Sequence, residues 1–570
     1  MIFGLIGFGW KPIWGLFTNI KPGWSTWKWW DLGLLILIGL FVWRTMFLSG
    51  NPSIGYDSTA THFYQAKLYL GEHVIRYNPL FSFIALQHML TVLQLAMGLT
   101  DPGSVVPYLG MVMSSSALYF LAERYFNRTA GLLGVLAYML QPMSFITSMQ
   151  WFNAHVLILY VVLMMMAILR YWETVTYGKD KRRQRSELRW IIIAGLMGGF
   201  ACGVKITGLI PVGILIFFTG RQWWRTLLWV IIACSPWYLV NLVHFGNPVF
   251  PHYEQWFGWL NFGVQEQVTE FQKEVASLPP GFYPWGDPWT LTFKINAPWA
   301  KEGELSEIGP FLLAFTIPLI FMPKKNWKRP AIFLAVFCVI SYAYWFLQER
   351  YFAPRYMLYI FALHGLVAAY GVSIAIRNVK HIMVPILIVL LAIFGYAVTL
   401  KYAYSTHLYV PMVREAYLQQ NLPALGLFEH INENNPDWRL YEVGFRNYRF
   451  YADFDMMDDQ YVWHLGDRYR FHNAEAQDLH DWLLSLNRTH ILIDEGSTEM
   501  WNNERYQLPR TDPEFEYYFQ PALRLEDWLV YEVVQDPERA ARERRYAQPP
   551  VEETAVGSET STAETEESLQ

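Results

Sequence analysis

Apolar residues recur along the chain in about eleven runs, near 32–48, 105–122, 130–148, 154–170, 190–204, 206–220, 226–243, 308–322, 330–347, 356–375 and 382–400. A helix needs about 20 predominantly apolar residues to cross a bilayer. The pattern therefore predicts an α-helical polytopic membrane protein with about 11 transmembrane helices. Between the runs lie basic loops: Lys179-Asp180-Lys181-Arg182-Arg183-Gln184-Arg185 with Arg189, Lys324-Lys325-Asn326-Trp327-Lys328-Arg329, and Arg377 with Lys380. Lys and Arg concentrate in short cytoplasmic loops, so these three are placed inside. The same count puts the N-terminus in the cytoplasm and everything after residue 402 outside.

Two stretches break the simple alternation. Pro79–Thr100 carries Gln87, His88 and Gln94, and parity along the chain is met if it lies at or dips into the outer interface as a juxtamembrane helix, the alternative being that one of the runs 105–122 or 130–148 fails to span. The segment 244–307 is rich in Trp, Tyr, Pro and Gly and carries Glu266, Glu270 and Glu274. A loop of that length is functional or disordered, and its aromatic content argues for function. Beyond residue 402 the pattern changes to short strands, Arg439–Phe445, His490–Asp494 and Trp528–Val534, with helices Leu425–Asn432 and Gln477–Leu486 between them. The resulting organisation is a Trp-rich cytoplasmic or interfacial N-terminus (1–31), a transmembrane domain (32–401) with outer loops 49–104 and 244–307, a small extracytoplasmic α/β domain (402–536), and a disordered acidic tail (537–570).

Composition agrees with this division. At 570 residues, 53% hydrophobic and 16% charged, the chain is too apolar for a soluble domain and too polar to lie wholly in a membrane. Its net charge of -5 is small, and nothing in it points to nucleic acid. Cys202, Cys234 and Cys338 fall inside apolar runs without metal-ligand spacing, which excludes a disulfide framework and a zinc site. Trp10, Trp14, Trp24, Trp27, Trp29 and Trp30 interleave with Lys11, Lys21 and Lys28, as in an interfacial anchor before a retained span.

Polar residues punctuate the apolar runs in a set order. Tyr56-Asp57 follows the first run, with Tyr64 and Ala66-Lys67 beyond it. Next come Glu123-Arg124-Tyr125-Phe126-Asn127-Arg128, Gly131-Leu132-Leu133, and Gln141-Pro142 within an apolar run. Gly203-Val204-Lys205-Ile206-Thr207-Gly208, Pro236-Trp237 with Asn241, Gly246-Asn247-Pro248-Val249-Phe250-Pro251 and Arg355-Tyr356 complete the series. Over residues 30–375 this order resembles the GT-C superfamily of integral-membrane glycosyltransferases, the group that contains the protein O-mannosyltransferases and the aminoarabinose transferases of lipid A.

The resemblance implies transfer of a sugar from a polyprenyl-phosphate donor to an acceptor (a lipid, glycan or protein) on the extracytoplasmic face, with inversion. It implies Asp57 as general base or acceptor-orienting group, and Lys205 and Arg355 as donor-phosphate contacts, the guanidinium fork being suited to a phosphate. Tyr56 and His252 are assigned to substrate binding. Many relatives carry a second acid where this chain has Trp151-Phe152-Asn153-Ala154-His155. Asn153 or His155 then orients substrate or binds a metal with Asp57, or the site works with one carboxylate. No cofactor is required by the sequence, and a divalent metal is left open.

The residues alone allow plainer readings. Asp57 is also a favoured helix cap, Lys205 a snorkelling lysine, His155 a satisfied polar group at a helix start, and His252 a turn residue. Asp453-Phe454-Asp455, with Asp458 and Asp459, reads as a solvated acidic loop rather than a nucleotide-sugar site. A lipid-linked sugar transporter, a polysaccharide polymerase or ligase, and a non-catalytic assembly subunit with a degenerate GT-C fold are the rival functions.

Overall fold

The computed structural model describes residues 27–52, 54, 57–73, 75, 86–98, 105–150, 152–177, 182–249, 308–347, 354–378, 383–405, 414–422, 424–443, 448–458, 475–494, 512–525 and 527–538. Tyr56, His252, most of the 244–307 loop, nearly all of the N-terminal Trp-rich segment and the acidic tail lie outside them, as does the side chain of Asp57.

Two compact units emerge, Met1–Trp438 with Glu442–Tyr469, and Arg439–Tyr441 with Arg470–Gln570. The first is helical. Its helices are α1 (Trp29–Ser49), α2 (Phe63–Glu72), α3 (Leu86–Ala96), α4 (Val105–Tyr125), α5 (Arg128–Met139), α6 (Pro142–Met149), α7 (Ala154–Tyr177), α8 (Arg182–Val204), α9 (Leu209–Phe217), α10 (Trp223–Phe245), α11 (Pro310–Ile320), α12 (Arg329–Leu347), α13 (Leu358–Asn378), α14 (Met383–Ser405), α15 (Arg414–Asn421) and α16 (Leu425–Asn434). Each apolar run of the sequence contains helix. Among the described residues six helices are long and apolar enough to cross a membrane, and α5 with α6 makes a seventh if that pair, bent by 68°, is one span. Shorter apolar helical stretches lie at Ile206–Phe217, Pro310–Ile320, Arg329–Trp345 and Val384–Val398.

The chemistry of the chain explains the breaks. Pro142 has no N–H to continue α5, and the residue before a proline is pushed out of the helical region; Gln141 is accordingly extended, with ψ 125°. Asn127 caps α5, its Oδ1 accepting from the Ala130 N–H at 2.9 Å. Asp31, in the first turn of α1, accepts from the Thr129 hydroxyl at 2.7 Å and ties α1 to α5. Large apolar side chains remain exposed on α1 (Ile36, Leu40, Trp43), α10 (Ile231, Leu239, Val243) and α14 (Val389, Leu390, Ile393). Such faces are tolerated where lipid replaces water. The chain is a multi-pass membrane protein.

Helix α3 has the opposite polarity from a soluble surface helix. Gln87, His88, Thr91 and Gln94 are buried, while Leu90 and Leu93 are exposed. At 1.5 Å per residue its 11 residues extend about half the ~30 Å of a bilayer core.

The second unit contains helix α17 (Ala476–Ser485), the one-turn α18 (Phe515–Tyr518) and strands β3 (His490–Asp494), β4 (Phe519–Leu525) and β5 (Trp528–Val533), together with most of β1 (Arg439–Glu442). The order across the sheet is β1-β3-β5-β4. Leu492 pairs with Val530 and His490 with Glu532 in the antiparallel β3–β5 ladder. Strand β4 escapes the sequence pattern because Pro521 interrupts it. The structure accommodates this proline on the sheet edge, beside a register shift between Pro521 and Leu523. Another strand, β2 (Asp455–Asp458), occupies part of the stretch read from sequence as a solvated acidic loop.

Helices α8 and α10 approach closely along small residues. A Cβ at Gly199 would lie 2.4 Å from that of Ala233 and 2.6 Å from the Val230 carbonyl, and one at Gly195 would lie 2.4 Å from the Trp229 Cβ. Backbone-to-backbone packing of this kind drives association between membrane helices. Gly199→Val is expected to destabilise the protein by about 1–3 kcal/mol, read as a lower melting temperature in detergent. Gly213→Ala, which has open space around it, should leave that temperature nearly unchanged. Equal melting for Gly199→Val and the parent would contradict this packing.

Candidate functional site

The site forms where helices begin, end or change their winding. Asp57 opens a π-helical turn, Asp57–His62, that runs directly into α2. π turns are rare and occur frequently at functional sites. Helix α2 is anchored: the Lys67 ammonium donates to the carbonyls of Phe450 and Ala452 at 2.9 and 2.8 Å and pairs with Asp453 at 2.6 Å. Phe63 packs on Phe450, and the buried Arg449 guanidinium lies over the Tyr64 ring at 5.5 Å. Asp453 is thus an ion-pair partner of the helix that follows Asp57.

From this anchored turn His62 meets α3. Its Nδ1 lies 2.8 Å from Nε2 of His88. The neighbouring Gln87 amide donates to the Phe152 carbonyl at 3.2 Å. Phe152 lies under the Arg355 guanidinium at 5.1 Å, and Asn153 donates to the Val204 carbonyl at 3.5 Å. Lys205 is extended, between the end of α8 and the 3-10 turn Ile206–Gly208. Gly208 makes that break possible, since a Cβ there would sit 2.5 Å from the Ala201 carbonyl oxygen. The Lys205 ammonium rests over the Tyr356 ring at 3.9 Å, and Arg355 flanks the same ring at 5.3 Å. Cations held against aromatic faces remain charged while losing water.

His88 is buried and His62 is half-buried. Desolvation drives the His62 pKa well below its usual value; its coupling to His88, which disfavours protonation of both rings together, and the positive charges of Lys205 and Arg355 push the same way. Burial lowers His88 to about 3. Both effects disfavour the charged imidazole.

The structure therefore gathers Lys205, Arg355 and Asn153 from the sequence-selected residues and places Asp57 at the start of the turn that delivers His62. It adds His62, His88, Gln87 and Phe152. His62 and His88 are separated by 26 positions and carry no spacing motif. Only the polar face within an apolar helix gave α3 away. His155 has another place: its ring bonds to the Tyr138 hydroxyl and, at 3.0 Å, to Thr147, and Tyr138 in turn meets Ser114. That buried network ties α7 to α4, α5 and α6. Among the described residues no three His, Cys, Asp or Glu side chains converge as a metal site would require.

Comparison with known proteins gives this arrangement a context. The family model described as dolichyl-phosphate-mannose-protein mannosyltransferase matches residues 83–246, which include His88, Phe152 and Lys205. Crystallised ArnT from Cupriavidus metallidurans bound to undecaprenyl phosphate superposes with a TM-score of 0.54 at 14% identity, covering 88% of this chain and 98% of that one. The chain has the GT-C membrane glycosyltransferase fold. The oligosaccharyltransferase of Archaeoglobus fulgidus, tethered with an acceptor peptide, shares this fold with a TM-score of 0.53 at 13% identity over 89% of this chain and 74% of its own. The mycobacterial arabinofuranosyltransferase AftD does so with 0.52 at 10% identity, over 88% and 40%. No curated protein matches the chain.

Within the GT-C fold the histidine pair has a measurable consequence. An unfolded chain protonates both imidazoles as pH falls through about 6.5, whereas the folded pair resists protonation. The unfolded state then binds more protons, so stability is present above that pH and is lost as pH falls. The melting temperature in detergent is expected to drop between about pH 7 and pH 5, and to drop less steeply in the His62→Gln/His88→Gln variant. Parallel profiles would contradict the burial of a neutral pair.

Proposed function

We propose that this protein transfers a sugar from a polyprenyl-phosphate donor to an acceptor on the extracytoplasmic face, with inversion at the anomeric carbon. The observation that carries this reading is the convergence of Lys205 and Arg355 with His62 and His88 at one end of the helix bundle. Cations collected at one point favour a phosphate there. The undecaprenyl phosphate held by ArnT and the family description matched by residues 83–246 support the same donor class.

The position of the cluster supports the outer face. Helix α7 begins beside Phe152 and Asn153, and towards its other end Arg170 and Arg124 both bond to Glu173. Helix α13 begins after Arg355 and carries Arg377 in its last turn, and near that end the Lys328 ammonium bonds to the Phe126 carbonyl. Arg124, Arg170, Lys328 and Arg377 thus lie towards the ends of these helices away from Phe152 and Arg355, which under the positive-inside rule supports a cytoplasmic position for that end. Eleven crossings, counting the shorter apolar helices, give the same orientation, with the C-terminal segment outside.

In this scheme Asp57 accepts the proton of the acceptor hydroxyl. The new bond to C1 forms as the C1–O bond to phosphate breaks, and Lys205 and Arg355 stabilise the charge that gathers on the departing phosphate. Tyr56, Asn153 and His252 contribute to substrate binding. Asp57→Asn is expected to lower turnover by on the order of 100-fold or more without lowering the melting temperature, measured on purified protein with a panel of polyprenyl-phosphate sugars. Arg355→Ala should raise the KM for donor roughly tenfold and leave that for acceptor nearly unchanged. Full turnover by Asp57→Asn would remove Asp57 from the mechanism, and an acceptor-side defect in Arg355→Ala would contradict the phosphate role.

A further inference from the structure

The hydrogen bond between His62 Nδ1 and His88 Nε2 fixes the proton inventory of the pair. At 2.8 Å one ring nitrogen donates and the other accepts. The two rings therefore hold two protons when neutral and three when singly charged, and they cannot both be imidazolium in this geometry. The charges of Lys205 and Arg355 act on His62, Gln87 neighbours His88 on α3, and Asp57 opens the π turn that ends in His62.

We propose that His62 and His88 act as a one-proton store coupled to the charge of the donor phosphate, taking up the acceptor's proton as the sugar leaves. This rests on the transferase reading above. In the donor the phosphate is a diester with one negative charge. When the C1–O bond breaks, the electron pair stays on the phosphate oxygen, which becomes a monoester with two. The acceptor hydroxyl loses one proton in the same event. Asp57 receives it, and the pair, one π-helical turn along the chain, takes it over as its third proton. Atoms and charge balance: one negative charge appears on phosphate and one positive charge appears on the imidazoles, beside Lys205 and Arg355. The pair is neutral while the diester is bound and charged while the monoester is bound. Release of the polyprenyl phosphate then returns the proton to water.

Isothermal titration of the full-length protein in detergent tests this, at about pH 7.5 in two buffers of different ionisation enthalpy. The probes are undecaprenyl phosphate, whose second pKa of about 6 makes it mostly dianionic, and its methyl diester, which carries one charge. The monoester is expected to bind with uptake of close to one proton and the diester with almost none. In His88→Gln the uptake on monoester binding should vanish, with a loss of affinity of roughly tenfold, while diester affinity holds. Equal uptake with both probes overturns the proposal in the intact protein, whatever the variant does, as does undiminished uptake in a folded His88→Gln. Binding of both probes without proton uptake overturns the store and leaves the donor reading standing. Failure of the intact protein to bind either probe overturns both.

Discussion

The arrangement of the site turns on holding positive charge together at the edge of an apolar bundle. Lys205 and Arg355 come from different helices, repel one another, and lose water as they are drawn against protein. The structure offsets this with aromatic faces: Tyr356 lies under Lys205 and beside Arg355, and Phe152 lies under Arg355. Two imidazoles complete the cluster without adding charge, because burial keeps them neutral. The result is two cations held against aromatic rings at one place, and preorganised cations are what electrostatic stabilisation of a departing phosphate, as proposed above, requires.

Each contributing residue stands at an interruption of helix. Lys205 occupies the extended link between α8 and a 3-10 turn, Arg355 lies in the 3-10 turn Pro354–Met357 before α13, Asn153 precedes α7, and Asp57 to His62 are wound as a π turn. Regular helix satisfies its own backbone and presents side chains at fixed intervals. Interruptions at one end of the bundle let residues distant in sequence converge. The rest of the bundle holds these ends in register through close glycine contacts between α8 and α10 and through the His155–Tyr138–Thr147 network. The anchoring of Lys67 to the 450–453 segment does the same for α2.

The helical framework was legible in the sequence because apolar runs have few other uses. Every run contains helix, yet their lengths are less regular: Pro142 bends one run, and the run at 206–220 contains only Leu209–Phe217 as α-helix. Lys205 and Arg355 drew attention in the sequence because charge at the end of an apolar run is costly, and the structure sets both against the Tyr356 ring. His62 and His88 were not, since their meaning lies in a contact across 26 positions. His155 shows the converse. A histidine beside a break looks like a ligand in one dimension, but its ring is engaged inside the protein. Strand β4 was hidden by Pro521, and Asp455–Asp458 by its acidity, each a local signal overridden by pairing.

The most direct measurement is an electron cryomicroscopy structure of the protein with undecaprenyl phosphate. The phosphate should lie between the Lys205 ammonium and the Arg355 guanidinium, within hydrogen-bond distance of both and beside His62, with the polyprenyl chain against the exposed apolar faces of the bundle. A phosphate bound at the other end, among Arg124, Arg170 and Lys328, or a cluster that stays empty at saturating lipid, would contradict the account.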